Sequence, residues 1–265
     1  MQEKTLTAAC CIIGDEILSG KAHDVNSHYL AKFLFSLGIE LKHVAVVGDD
    51  MSDIGDCVQR LSRLYDFVFT GGGIGSTHDD ITYDAIAKAF NLQLKFDPVT
   101  YRVIEEWAGK RGGKTELTAY HKRLATFPYP AQLLRTHRSG IPIVVVCDNI
   151  YILPGIPRLF ATLLNSLRPH FHAKTNKQFY RAEIATRQQE TTIAAYLEQA
   201  QRTYANVKIG SYPTFGTGEH SMAQVVVSVT GQDMNTVQTI ADKIQRHVDG
   251  WSHGTSWTQI IRGRL

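Results

Sequence analysis

The chain has 265 residues, 43% hydrophobic and 20% charged, with a net charge of +3. That length buries a core without a disulfide scaffold, and the composition excludes a disordered or fibrous chain. The charge is balanced over residues 1–172 and the whole excess lies in 173–265, a mild bias without the dense basic patch of a nucleic-acid binder.

The longest apolar run, Ile141 to Cys147, is far shorter than the ~20 residues that span a bilayer. The opening Met-Gln-Glu-Lys-Thr lacks the basic-then-apolar plan of a signal peptide. These features point to a soluble intracellular protein with no membrane partner; the cytoplasm is the expected compartment, the nucleus the alternative. Cys10, Cys11, Cys57 and Cys147 show no CxxC spacing, so reduced, mostly buried thiols are expected rather than a zinc site.

In chain order, Thr7–Ile13 reads as a buried strand and Gly14–Gly20 as a loop. Asp24 is placed to cap a helix carrying Val25, Tyr29, Leu30, Phe33, Leu34 and Leu37, which Gly38 ends. A strand over 39–47 follows. Ser52 is expected to cap the next helix, with Ile54, Leu61 and Leu64 on its inner face. Residues 65–70 form a third strand that runs into Gly71-Gly72-Gly73. This alternation predicts right-handed crossovers and a mainly parallel sheet with helices on both faces. Helical patterns continue over 79–90, 98–110 and 114–125, short strands over 143–147 and 150–153, and a helix over 158–170. The polar stretch from Pro169 to Lys177 sets a domain boundary, giving domains 1–172 and 173–265. In the second, strands at 178–186, 206–212, 222–230 and 256–262 and helices at 189–203 and 234–248 make the βαββαβ order of a ferredoxin-like α+β unit.

The chemistry concentrates in Thr70-Gly71-Gly72-Gly73-Ile74-Gly75-Ser76-Thr77-His78-Asp79-Asp80-Ile81-Thr82. Its glycines let the backbone approach a ligand closely, and free N–H groups at a helix start suit a phosphate. The plain alternative is a strand-to-helix turn capped by Thr77 or Asp79. The stretch is neither a Walker loop nor a GxGxxG dinucleotide loop. Asp79 and Asp80 would repel a phosphate held on adjacent amides unless a divalent cation were shared between them. His78 is a candidate phosphate donor. Gly14-Asp15-Glu16, Asn26-Ser27 and Gly48-Asp49-Asp50 bring further polar groups to the ends of neighbouring strands. Each can be a turn residue; together they suggest a metal–phosphate site on one rim. His170 and His172 read as surface residues, and Gly216-Thr217-Gly218 as a hairpin loop or a phosphate contact.

Gly14–Gly20, Asp24–Ser27 and Gly71–Thr82 resemble the molybdopterin-binding-like domain, the superfamily of the competence/damage-inducible proteins and of the N-terminal half of eukaryotic FAD synthase. Leu153-Pro154-Gly155-Ile156-Pro157 and Gly210-Ser211-Tyr212-Pro213 are similar to the FAD synthase branch in particular. The resemblance covers nearly the whole chain. It implies a three-layer α/β/α domain that binds a nucleotide or pterin phosphate. In this branch it implies metal-dependent hydrolysis of a nucleotide pyrophosphate, FAD to FMN and AMP, or ADP-ribose, supported by magnesium, manganese or cobalt and often potassium. In the pterin branch it implies adenylation of molybdopterin or insertion of molybdenum. A homodimer is the family habit. Ser76 stands where these families carry proline, which would loosen the loop. The sequence ends without a synthase domain, so FAD synthesis is not expected.

On that resemblance, Gly72, Gly73 and Gly75 would hold the pyrophosphate, with Gly71, Ser76 and Thr77 in the same loop. Asp79 and Asp80 would bind the metal, Asp15 and Glu16 would make a second metal contact or act as base, and Asp49 and Asn26 would read ribose or base. A nucleotide-binding module without turnover is the alternative from another class.

Overall fold

The computed structural model describes residues 5–110, 118–136, 139–175, 177–214 and 223–255. The chain divides into two compact units, Met1–Asn176 and Lys177–Leu265.

In the first unit, β1 (Thr7–Ile13), β2 (Glu40–Val47), β3 (Phe67–Gly71) and β8 (Ile150–Leu153) are parallel neighbours. With β7 (Ser139–Val146) and β6 (Gln132–Thr136), both added antiparallel, they form a six-stranded sheet in the order β2-β1-β3-β8-β7-β6. After Thr7, β1 is apolar because both of its faces are covered, as a central parallel strand requires. Ala8, Cys10 and Ile12 face one core and Ala9, Cys11 and Ile13 the other. Among the described residues all four cysteines are free, with only Cys147 exposed.

The first face is covered by α2 (Asn26–Phe35), α7 (Pro157–Ser166) and α8 (Arg168–His172), through Leu30, Phe33, Leu34, Phe160, Leu163 and Phe171. Truncating one of these fully buried side chains to alanine costs about 2–5 kcal/mol. The second face is covered by α3 (Met51–Leu64) and α4 (Thr82–Ala89), through Ile54, Val58, Leu61 and Ile86. The start of α2 is fixed by Asp24, whose Oδ1 accepts from the amides of Asn26 and Ser27. Its end is fixed by Gly38 at φ 69°, where the amides of Gly38 and Ile39 return to the Phe35 and Leu34 carbonyls. That pairing needs a left-handed residue, which glycine supplies without strain.

Several expectations are corrected. The cap of α3 is Asp50, which accepts from the amides of Ser52 and Asp53; the Ser52 hydroxyl is itself turned onto that carboxylate. α4 starts at Thr82 rather than 79, so the two aspartates lie in the loop ahead of it. The expected 158–170 helix breaks at Leu167 into α7 and α8; Pro169, in the first turn of α8, has no N–H to continue the earlier helix. His170 is not a surface residue: it is half-buried and hydrogen-bonds the Tyr151 hydroxyl at 2.9 Å. The short helix α1 (Asp15–Leu18) and the two-stranded pair of exposed β4 (Gln93–Phe96) with β5 (Thr126–Tyr129), whose Phe127 enters the core, were not expected. α5 (Pro98–Lys110) and α6 (Ala119–Arg123) lie in the same connection.

In the second unit the order is β9 (Tyr180–Thr186), α9 (Glu190–Thr203), β10 (Val207–Pro213), β11 (Val225–Gly231), α10 (Met234–His247) and β12 (Trp251–Thr255). The four strands form an antiparallel sheet, β10-β11-β9-β12, packed on Val237, Ile240 and Ile244 of α10 and Ile193 of α9. This is the ferredoxin-like βαββαβ arrangement. The last strand forms at 251–255; residues 256–262, and Gly216–Gly218, lie outside the described residues.

Candidate functional site

Because β2, β1, β3 and β8 are parallel and adjacent, their carboxyl ends share one edge of the sheet, where ligands of open α/β folds bind. Four loops meet there: Gly14-Asp15-Glu16, Gly48-Asp49-Asp50, Gly72 to Ile81, and Pro154-Gly155.

The third loop is built around absent side chains. A Cβ on Gly72, at φ 124°, would lie 2.1 Å from the Ile13 carbonyl oxygen. On Gly73, at φ 63°, it would lie 2.3 Å from the Thr82 hydroxyl. Both positions therefore need glycine. Thr82 is fully buried and seals the loop from below: its Oγ1 donates to the Gly72 carbonyl at 2.9 Å and its N–H to the Gly73 carbonyl at 2.9 Å. Ile74 is buried in the core and anchors the crest.

Asp80 closes the loop. Its Oδ1 accepts from the Gly75 amide at 2.6 Å, and its Oδ2 from the Thr77 amide at 2.8 Å and the Thr77 hydroxyl. The two amides flank Ser76, so this clamp supplies the rigidity that a proline at 76 would give. Asp80 is thus occupied as a structural acceptor. The structure separates it from Asp79, which is exposed. Thr77 and the Asp79 amide hold the Asp79 carboxyl below its ordinary range, with the Arg123 guanidinium adding to the effect.

The loop amides also sort differently from expectation. Gly71 belongs to β3 and packs on Phe160. The Gly72 amide donates to the Leu153 carbonyl at 3.2 Å, and that of Gly75 is taken by Asp80. The amides of Gly73, Ile74 and Ser76 have no acceptor among the described residues. These three N–H groups are therefore available to an anion, in the manner of a backbone nest.

Asp15 and Asp49 bridge the first two loops through each other's backbone. Burial raises the pKa of Asp49, although the Asp15 amide opposes this, and the charges of Asp15, Glu16 and Asp79 raise it further. Three loops therefore direct carboxylates at one another. Asp50 is withdrawn from this group by its capping role. Asn26 is buried, and its Nδ2 donates to the Gly155 carbonyl at 2.8 Å; it ties the fourth loop to the start of α2 instead of reading a ribose. Sequence reasoning missed Thr82, Ile74 and Arg123. Arg123 donates to the Asp80 carbonyl at 2.7 Å from 43 residues away, a separation at which no local motif signals a contact.

No three His, Cys, Asp or Glu side chains form a preassembled metal cage among the described residues. A magnesium-type ion needs only one or two carboxylates if substrate phosphates complete its shell. The hard oxygen donors of Asp15, Glu16 and Asp79, which lie near Asp49 and form no ion pair among the described residues, fit that use. No helix among the described residues is long and apolar enough to cross a membrane.

Comparison with known proteins matches residues 9–173 to the family described as "Probable molybdopterin binding domain" and residues 178–253 to "FAD synthase, middle domain". A "Probable FAD synthase" of Caenorhabditis briggsae is 36% identical over 277 residues, and one of Caenorhabditis elegans 30% over 278, each alignment covering 96% of this chain. The alignments cover 52% and 53% of those relatives, so this chain spans about half their length. A protein of Pyrococcus abyssi is 30% identical over 261 residues, covering 93% of this chain and all of that one. The crystal structure of CinA from Thermoplasma acidophilum, described as of unknown function, superposes with a TM-score of 0.57 at 26% identity, covering 63% of this chain and 99% of that one.

Proposed function

This chain belongs to the family of probable molybdopterin binding domains and carries a FAD synthase middle domain after it, and from that premise we propose that it hydrolyses the pyrophosphate bond of a nucleotide, with FAD the first candidate substrate and ADP-ribose the second. The observation that carries the reading is the juxtaposition at one sheet edge of three unpaired amides, on Gly73, Ile74 and Ser76, with the carboxylates that crowd Asp49. The amides suit a phosphate. The carboxylates repel one unless a cation lies between them. A pyrophosphate with a divalent ion satisfies both.

In this reading Gly73, Ile74 and Ser76 orient the pyrophosphate through their N–H groups. One or two of Asp15, Glu16 and Asp79 would hold magnesium, manganese or cobalt together with the substrate phosphates, with potassium as a further cation. When bound, the metal supplies Lewis-acid polarisation of a phosphoryl oxygen. Asp49, tied to Asp15 at the edge of this group, is the candidate general base. It takes a proton from a water whose oxygen forms the new bond to phosphorus. The bridging P–O bond breaks, and the second phosphate leaves with its electron pair. FAD plus water gives FMN plus AMP.

The test is a substrate panel of FAD, ADP-ribose, NAD, NADH and coenzyme A, each with Mg²⁺, Mn²⁺ or Co²⁺ and products separated by chromatography. Matched amounts of two mononucleotides from FAD, in a metal-dependent reaction, support the proposal. Tight nucleotide binding without turnover under every metal would leave a binding module. Pyrophosphate release from ATP with molybdopterin would favour adenylyl transfer.

A further inference from the structure

A cavity of about 240 Å³ adjoins the glycine loop, lined by Gly75 and Asp80 of the loop, Tyr83 of α4, Leu94 of β4, and Ala119 and Arg123 of α6. Its lining is largely apolar, with cations at Arg123 and Lys122. We infer that this cavity receives the heteroaromatic ring of the nucleotide whose pyrophosphate lies on the glycine loop, and that Arg123 meets the phosphate next to that ring.

The inference rests on the nucleotide reading above and deepens it. Three observations support it. First, the cavity adjoins the loop that carries the proposed phosphate site: Gly75, which stands between Ile74 and Ser76, and Asp80, which clamps that loop, both line it. Second, the charges fit. Arg123 uses only Nη2, for the Asp80 carbonyl at 2.7 Å and the Asp84 carboxylate at 3.3 Å. Its Nη1 and Nε have no acceptor among the described residues, and a guanidinium offers five donors in a fork suited to phosphate. Asp84, the other acid on the wall, is already paired with Arg123, and Lys122 lies with its ammonium 5.3 Å from the Phe96 ring centre. Third, the Tyr83 hydroxyl is buried and lacks a hydrogen-bond partner among the described residues. A buried polar group of that kind calls for a partner, and a ring nitrogen or carbonyl of a flavin or purine supplies one. An apolar slot beside a phosphate-binding backbone, closed by a cation, fits a planar base better than a second sugar or a peptide.

The test fills the slot. Ala119 and Leu94 are both exposed, so Ala119→Trp and Leu94→Trp intrude on the cavity without touching the core, and melting temperatures verify the fold. Binding of AMP, FMN and ribose 5-phosphate to the full chain is measured by calorimetry for wild type and both variants. The expected result is that at least one of AMP and FMN weakens by about tenfold or more in both variants, while ribose 5-phosphate is unchanged. Whichever mononucleotide weakens identifies which ring occupies the slot. Unchanged binding of both mononucleotides would overturn the inference and leave the phosphate site standing. Equal weakening of ribose 5-phosphate would also overturn it, by showing that the substitutions act on the loop. A wild type that binds none of the three would end the nucleotide reading itself.

Discussion

Asp15 and Asp49 hold each other's backbone: the Asp15 N–H donates to Asp49 Oδ2 at 3.0 Å and the Asp49 N–H to Asp15 Oδ1 at 3.3 Å. The pair locks the loop after β1 to the loop after β2. Gly48 makes it possible, since a Cβ there would lie 2.6 Å from Asp15 Oδ1. The arrangement also places two like charges together in a region that Glu16 and Asp79 make more negative. A purely structural link has no need of that repulsion.

The repulsion is measurable through pH. Asp49 titrates above its unfolded value, so the native state favours its neutral form. Its contribution to stability is fully present below the unfolded carboxylate pKa and is lost as pH rises through the folded value. Asp49→Asn keeps an acceptor for the Asp15 amide and removes the charge. In metal-free buffer the variant should melt above wild type at pH 7, by no more than ~2 °C because the site is largely solvated. The gap should close as the pH falls to about 3. A gap independent of pH would show that the charge plays no part.

Asp80→Ala should loosen the glycine loop. The substitution removes the acceptor of three donors, the Gly75 and Thr77 amides and the Thr77 hydroxyl. The expected loss is about 1–3 kcal/mol of stability with a clear rise in KM. Asp80→Asn, which retains one acceptor oxygen, should recover part of both. Normal melting with abolished turnover in Asp80→Ala would instead make this residue a metal ligand.

Gly72→Ala should be far more damaging than its size suggests. The added methyl meets the Ile13 carbonyl oxygen, a backbone atom of the central strand that cannot turn aside. Loss of roughly 3 kcal/mol or more is expected from overpacking and the left-handed backbone together. Thermal denaturation measures it, and a shift no larger than that of Gly109→Ala, where nothing lies within 4 Å, would contradict the loop geometry.

Much of the frame was legible in the sequence because its signals are local. The unbroken apolar run of β1, the 3.6-residue spacing of Leu30, Phe33, Leu34 and Leu37, and the glycine at 38 each report one element. Parallel topology then follows from alternation, and with it the rim that gathers Asp15, Asp49 and Asp79. What stayed hidden depends on tertiary contact. β4 and β5 are four-residue strands whose pairing, Phe96 with Thr126, joins positions 30 residues apart. The choice of Asp50 over Ser52 as cap turns on which oxygen reaches the free amides. The different tasks of Asp79 and Asp80 cannot be read from two identical neighbours, since only the fold decides which one turns back onto Gly75. The same holds for Asn26, whose amide is consumed by Gly155, 129 residues away.

The central claim is that the crowded carboxylates above the glycine loop serve pyrophosphate hydrolysis, and the most direct measurement is FAD turnover with Mn²⁺ by wild type and Asp79→Asn, with melting temperatures taken on the same samples. Asp79 is exposed and closes no loop contact that Asp80 does not already make. The account predicts FMN and AMP in equal amounts from wild type, and about a hundredfold or greater loss of turnover in the variant as Lewis-acid stabilisation worth several kcal/mol is removed, with the melting temperature unchanged within about 1 °C. Turnover at the wild-type rate in Asp79→Asn would contradict it.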